Sequence, residues 1–182
     1  MARRNAQEAV KNYLTTLEEA VACVTEPVLL LSKRGGYRIG EEYSLVLREG
    51  DPVPLKGGAR IAISLFQHFR LVKDEREDHG PIRVTTAAYY YVLEDSNGHE
   101  ILSYHWHPES PRSKHPDPHM HLKHGANVGR GELVGSHIPT GRVALEDFLR
   151  LLVEAFKVPP RKADWYAVLS RTKQRFNRDK SW

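Results

Sequence analysis

Cysteine is the scarcest chemistry in this chain: Cys23 is the only one in 182 residues. A lone thiol excludes a disulfide framework, which needs pairs, and any thiolate-rich zinc site. Long apolar runs are also missing. The longest, Pro27-Val28-Leu29-Leu30-Leu31, is far short of the ~20 residues that span a bilayer. The first residues, Met1-Ala2-Arg3-Arg4, carry positive charge with no apolar region behind them, so no secretory signal is expected. The glycine-rich stretch containing Gly129-Arg130-Gly131 has neither the Walker nor the dinucleotide spacing. No internal repeat is present. These absences lead to the expectation of a cytoplasmic protein with no membrane partner.

What is present suffices for a folded core, with 40% hydrophobic and 27% charged residues. The net charge of +4 is unevenly spread. Residues 161–182 hold Arg161, Lys162, Arg171, Lys173, Arg175, Arg178 and Lys180 against Asp164 and Asp179, which leaves the first 160 residues near neutral. The chain therefore reads as one domain over 1–160 and a basic helical extension over 161–182. Such an extension suits a nucleic acid or an acidic protein partner. It equally suits a solvated helix face with cations toward the C-terminal end of the dipole.

Apolar spacing predicts a helix over 3–24, with Val10, Tyr13, Leu14, Leu17, Val21 and Val24 on one face and Pro27 as its stop. Strands are expected over 28–32, 37–48, 60–73, 82–96, 99–108 and 119–122. Helices follow at about 143–157, with Leu145, Phe148, Leu149, Leu152 and Phe156 as the buried stripe, and at about 162–177. Cys23 reads as a buried helix residue. The whole is an α+β fold, an antiparallel β-sheet with helices packed on one face, an N-terminal helix and two C-terminal helices.

Asn97-Gly98 between two β-type runs predicts a two-residue type I′ hairpin with Ser96 opposite His99. That register sets Leu93 against Leu102, Tyr91 against Tyr104 and Tyr89 against Trp106 on a core face. The other face then carries Val92 with Ser103, Tyr90 with His105, and Ala88 with His107. The proline-rich run from Pro108 to Pro118 cannot be a central strand. Beyond it, His119 and His121 share one face of a short strand, and Met120 and Leu122 the core face.

Eight of the ten histidines lie between 99 and 137. If the strands on either side of the proline loop are neighbours, His105, His107, His119 and His121 converge. One chemistry for that patch is acid–base cleavage of a phosphodiester such as RNA, because imidazole titrates near neutral pH. Tyr90, Arg112, Lys114, Lys123 and Arg130 would then contact the phosphates. The other is a metal site, hydrolytic or sensory, using the same four histidines for zinc or another divalent transition metal. The simplest alternative is a solvated sheet face with ordinary polar histidines. His68, His79 and His99 are read that way, and His137 could close the site or cap a strand. A non-enzymatic interaction module built on the basic C-terminal helix is a third reading of the chain. The run Tyr89-Tyr90-Tyr91 could stack bases, although strand packing explains Tyr89 and Tyr91.

The tyrosine-rich strand, tight hairpin, aromatic strand, closing Pro118-His119-Met120-His121-Leu122 and the helix opening Leu145-Glu146-Asp147-Phe148-Leu149 together resemble the TumE-like toxins of toxin–antitoxin pairs, over about residues 85–157. The resemblance implies a small α+β toxin acting on RNA, partnered by a DNA-binding antitoxin, with function on His119 and His121. Tyr104-His105-Trp106-His107 stands where that family would carry an arginine-aspartate pair.

Overall fold

The computed structural model describes residues 5–57, 60–76, 80–109, 115–126 and 134–179. The first helix, α1 (Ala6–Val21), begins where Asn5 caps it: the Glu8 amide donates to Asn5 Oδ1 at 2.8 Å. It ends short of residue 24 because Cys23 and Val24 donate to Ala20 and Val21, tightening the last turn into three-residue steps. Ala9, Val10, Leu17, Ala20 and Val21 form its buried face.

Eight strands follow in one antiparallel sheet: β1 (Leu29–Leu31), β2 (Glu42–Leu47), β3 (Val53–Pro54), β4 (Ala62–Lys73), β5 (Ile82–Glu94), β6 (Glu100–Trp106), β7 (His119–Leu122) and β8 (Ile138–Pro139). Their order is β1-β2-β4-β5-β6-β7-β8, with β3 also paired to β4. Residues 37–41, expected to open a strand, lie outside β2. The two-residue strands β3 and β8 lie outside the expected strands, since two residues carry no alternation to detect.

Two further helices, α2 (Leu145–Glu154) and α3 (Trp165–Asp179), complete the α+β arrangement. Among the described residues, no helix is long and apolar enough to cross a membrane. Leu145, Phe148, Leu149 and Leu152 of α2 are buried, as is the face of α3 bearing Val168, Leu169 and Thr172, which packs on α1 and α2. Several basic side chains of α3 turn back onto the body. Lys173 meets Asp147 at 2.5 Å, and Arg175 meets Glu19 at 3.1 Å. Cys23 is fully buried just past α1.

Alternation divides the sheet cleanly. Ile63, Leu65, Phe69 and Leu71 of β4, Tyr89, Tyr91 and Leu93 of β5, and Leu102 and Trp106 of β6 are buried in the core with the helices. Tyr91 stacks on Phe148 at 5.6 Å, and the Val143 amide donates to Tyr89 Oη at 2.9 Å, tying the entry of α2 to the sheet. The opposite face carries Tyr90, Ser103, His105, His119 and His121.

The hairpin register holds from Leu93↔Leu102 to Tyr89↔Trp106, but the expected turn does not form. Gly98 donates to Asp95 O at 3.1 Å and Asp95 to His99 O at 2.9 Å, which makes a three-residue loop. In this turn only Gly98, at φ +77°, takes the left-handed conformation. Asp95 Oδ1 accepts from the amides of Asn97 and His99 and so holds the preceding residues in an ordinary turn. Pairing starts one step out, at Glu94↔Glu100, and a bulge at Ile101 restores the expected pairing by Leu93↔Leu102.

Candidate metal centre

Strand β7 lies against β6, with His105 opposite His119 and Ser103 opposite His121. One face of two adjacent strands thus receives three imidazoles. The ring centroids of His105 and His121 are 4.7 Å apart, those of His105 and His119 5.4 Å, and those of His119 and His121 5.0 Å. One ring nitrogen from each lies within 4.8 Å of the others, and His119 and His121 are buried. Two imidazoles on a tetrahedral zinc ion have nitrogens about 3.4 Å apart, from Zn–N lengths near 2.1 Å. The widest side of the triangle would therefore shorten by up to about 1.4 Å around an ion.

Hydrogen bonds orient two of the rings. His119 Nδ1 is 2.8 Å from Asp117 O, an acceptor, so Nδ1 carries a hydrogen and Nε2 is the nitrogen left for a ligand. His105 Nε2 is 2.8 Å from Ser103 Oγ. His121 Nδ1 is buried with no hydrogen-bond partner among the described residues. A buried imidazole nitrogen without a partner is an uncompensated polar atom, and a metal ion is one way to satisfy it.

Burial first, then the neighbouring rings His121, His119 and His107, push the His105 pKa down to about 3. Burial, then the charges of His137, Lys123 and His119, push His121 down to about 4, against a smaller opposing pull from the Gly135 backbone. His107 and His137 shift in the same direction, with burial again the leading cause. His105 and His121 are therefore neutral at neutral pH, the form that binds metals. Tyr90 stacks edge-on against His105 at 4.2 Å, and its hydroxyl donates to Glu100 Oε2 at 3.5 Å. Burial and the Glu100 carboxylate push the Tyr90 phenol up to about 12.

Of the expected residues, His105, His119 and His121 come together. His107 sits beside them, 6.0 Å from both His105 and His119 between ring centroids, outside the triangle. The charge of Lys123 reaches His105 and His121, adding to the depression of both. Arg112, Lys114 and Arg130 lie outside the described residues, as does His79. His68 is engaged with Glu42 at 3.1 Å and Ser44 at 3.2 Å, and His99 faces Asp95 in the turn.

His137, left open by the sequence, does join the cluster. Its ring is 4.4 Å from His121 and 5.0 Å from His119, and it stacks on His115 at 3.8 Å. The short pairing of β8 with β7 brings it there. Ser103 and Glu100 went unassigned in the sequence. The register placed Ser103 on the histidine face, which was the available signal; the bulge that brings Glu100 there left none.

No family model matches the chain, and neither a curated protein nor a solved structure matches it.

Proposed function

We propose that the protein binds a divalent first-row transition metal, zinc foremost, through one nitrogen each of His105, His119 and His121, and uses it as a hydrolytic centre. The observation that carries this reading is the convergence of three ring nitrogens from β6 and β7 within 4.8 Å of one another. Three imidazoles with a further position left for water are the ligand pattern of catalytic zinc. Nickel, copper and iron also accept imidazole, so zinc is the first ion to test. The second nitrogens of His105 and His119 are already committed to Ser103 and Asp117. Rings tied in this way suit ligation better than shuttling protons to a large substrate.

The substrate class proposed is a phosphodiester, RNA foremost, as the resemblance to TumE-like toxins implies. Lys123, whose charge reaches His105, would offset phosphate charge, and the partly exposed Tyr90 offers a face against which a base could stack. Metal-bound water would supply the nucleophile.

Elemental analysis of stripped and zinc-reloaded protein tests the metal reading. Wild type should retain close to one ion per chain and the His119→Ala/His121→Ala protein none. Equal retention by both, or none by the wild type, rejects it. RNA cleavage that depends on reloading, and is lost with chelator and in the double variant, tests the substrate.

A further inference from the structure

On a regular strand, residues three apart point to opposite faces. Glu100 and Ser103 are three apart in β6 and share a face. Glu94 pairs with Glu100 while Leu93 pairs with Leu102, so Ile101 is an inserted residue and the bulge turns Glu100 toward the histidines. There the Ser103 hydroxyl donates to Glu100 Oε1 in a short hydrogen bond, and Tyr90 Oη donates to Glu100 Oε2 at 3.5 Å.

A hydroxyl has one proton to give. With that proton directed to Glu100, Ser103 Oγ can only accept from His105 Nε2, 2.8 Å away. Nε2 then carries the ring hydrogen, and Nδ1 holds the lone pair. Ser103 is fully buried, so water does not compete for its oxygen.

We infer that Glu100 is a positioning residue for the proposed centre, acting through Ser103 to hold His105 in the tautomer whose Nδ1 is the ligand atom. The inference rests on the metal reading above. Carboxylate–histidine–metal arrangements fix ring orientation and raise ligand basicity, and loss of the outer partner weakens metal binding by roughly 10–100-fold. Here the carboxylate reaches the imidazole through a serine hydroxyl.

The test has two arms. In the metal-free protein, nitrogen-15 NMR of the imidazoles reads the His105 tautomer directly. Wild type should show hydrogen on Nε2, and Ser103→Ala should lose that preference. In zinc competition against a chelator, Ser103→Ala and Glu100→Ala should bind roughly 10–100-fold more weakly than wild type. Glu100→Gln keeps an acceptor oxygen and should recover much of the loss, which a merely structural role for the carboxylate would not require. Circular dichroism checks folding, and Glu100, being only partly buried, is the variant least apt to disturb it.

A wild-type His105 with its hydrogen on Nδ1 overturns the inference. So does wild-type zinc affinity in folded Ser103→Ala and Glu100→Ala. A wild type that binds no zinc but keeps the Nε2–H tautomer overturns the metal reading, and with it the role of Glu100 toward an ion. Failure of that reading is thus distinguished from failure of the relay.

Discussion

His119 stands directly opposite His105 across β6 and β7, and their rings are 5.4 Å apart. This pair spans the proline-rich connection, so an ion held between them would tie β7 to the sheet. On the proposed reading, removing His119 would take away both a ligand and that tie. His119→Ala is expected to weaken zinc binding by at least ~100-fold, the upper end of what loss of an outer partner alone does. The same ion should stabilise the wild type. At a free zinc concentration 100 times the dissociation constant the gain is about 2.7 kcal/mol. Thermal melts with and without zinc should separate for wild type and coincide for His119→Ala.

Gly98 is the one residue of the β5–β6 turn with positive φ, at +77°, and a Cβ there would meet nothing within 4 Å. The penalty for Gly98→Ala is then backbone strain alone, about 1 kcal/mol. An unfolding free energy lowered by that amount, read from denaturant curves with an unchanged slope, and zinc affinity nearly unchanged, is the expected result. A neutral substitution would mean that the turn relaxes to another form.

Much of this arrangement is legible in the sequence. Strand alternation is local, so the split between Tyr89, Tyr91 and Trp106 on one side and Tyr90 and His105 on the other followed from one turn position. The placement of β7 beside β6 was a condition rather than a derivation, because pairing across a proline loop depends on the rest of the fold. The turn type went wrong at Asp95, whose side chain captures two backbone amides and outweighs the Asn-Gly preference. Two irregularities, the longer loop and the bulge at Ile101, offset each other, so the register survived while Glu100 changed face. His137 depended on β8, a strand too short to leave a pattern.

The C-terminal helix leads to a prediction about truncation. Val168, Leu169 and Thr172 are buried to 2% exposure or less, against α1 and α2. Ending the chain after Pro160 uncovers that apolar surface and removes the partners of Glu19 and Asp147. The truncated protein should lose its cooperative melt. Lys173→Ala, by contrast, should change stability by at most ~1 kcal/mol, because its ion pair is partly exposed. A truncated protein that melts as sharply as the full chain would show that α3 contributes no essential cover.

Glu146 sits in the core at 2% exposure, with neither carboxylate oxygen hydrogen-bonded among the described residues. Thr172 lies beside it but donates to Leu169 O at 3.2 Å. Burial raises its pKa from 4.5 to about 7, against the opposing pull of its own backbone amide and the nearby Thr172 hydroxyl; the Asp147 charge adds to the shift and Lys173 opposes it. The folded state therefore holds this proton more tightly than the unfolded state. Its contribution to stability is full below about pH 4.5, falls as pH rises toward 7, and is lost above that. The difference across that window is about 3 kcal/mol, at about 1.4 kcal/mol per pH unit. Glu146→Gln keeps the shape and stays neutral, so it should match wild type near pH 4.5 and exceed it by up to about 3 kcal/mol at pH 8. Urea midpoints at the two pH values measure the difference. A gap between wild type and variant that is the same at both would mean that Glu146 titrates alike in folded and unfolded chains, and that the buried carboxylate has found a partner in solution.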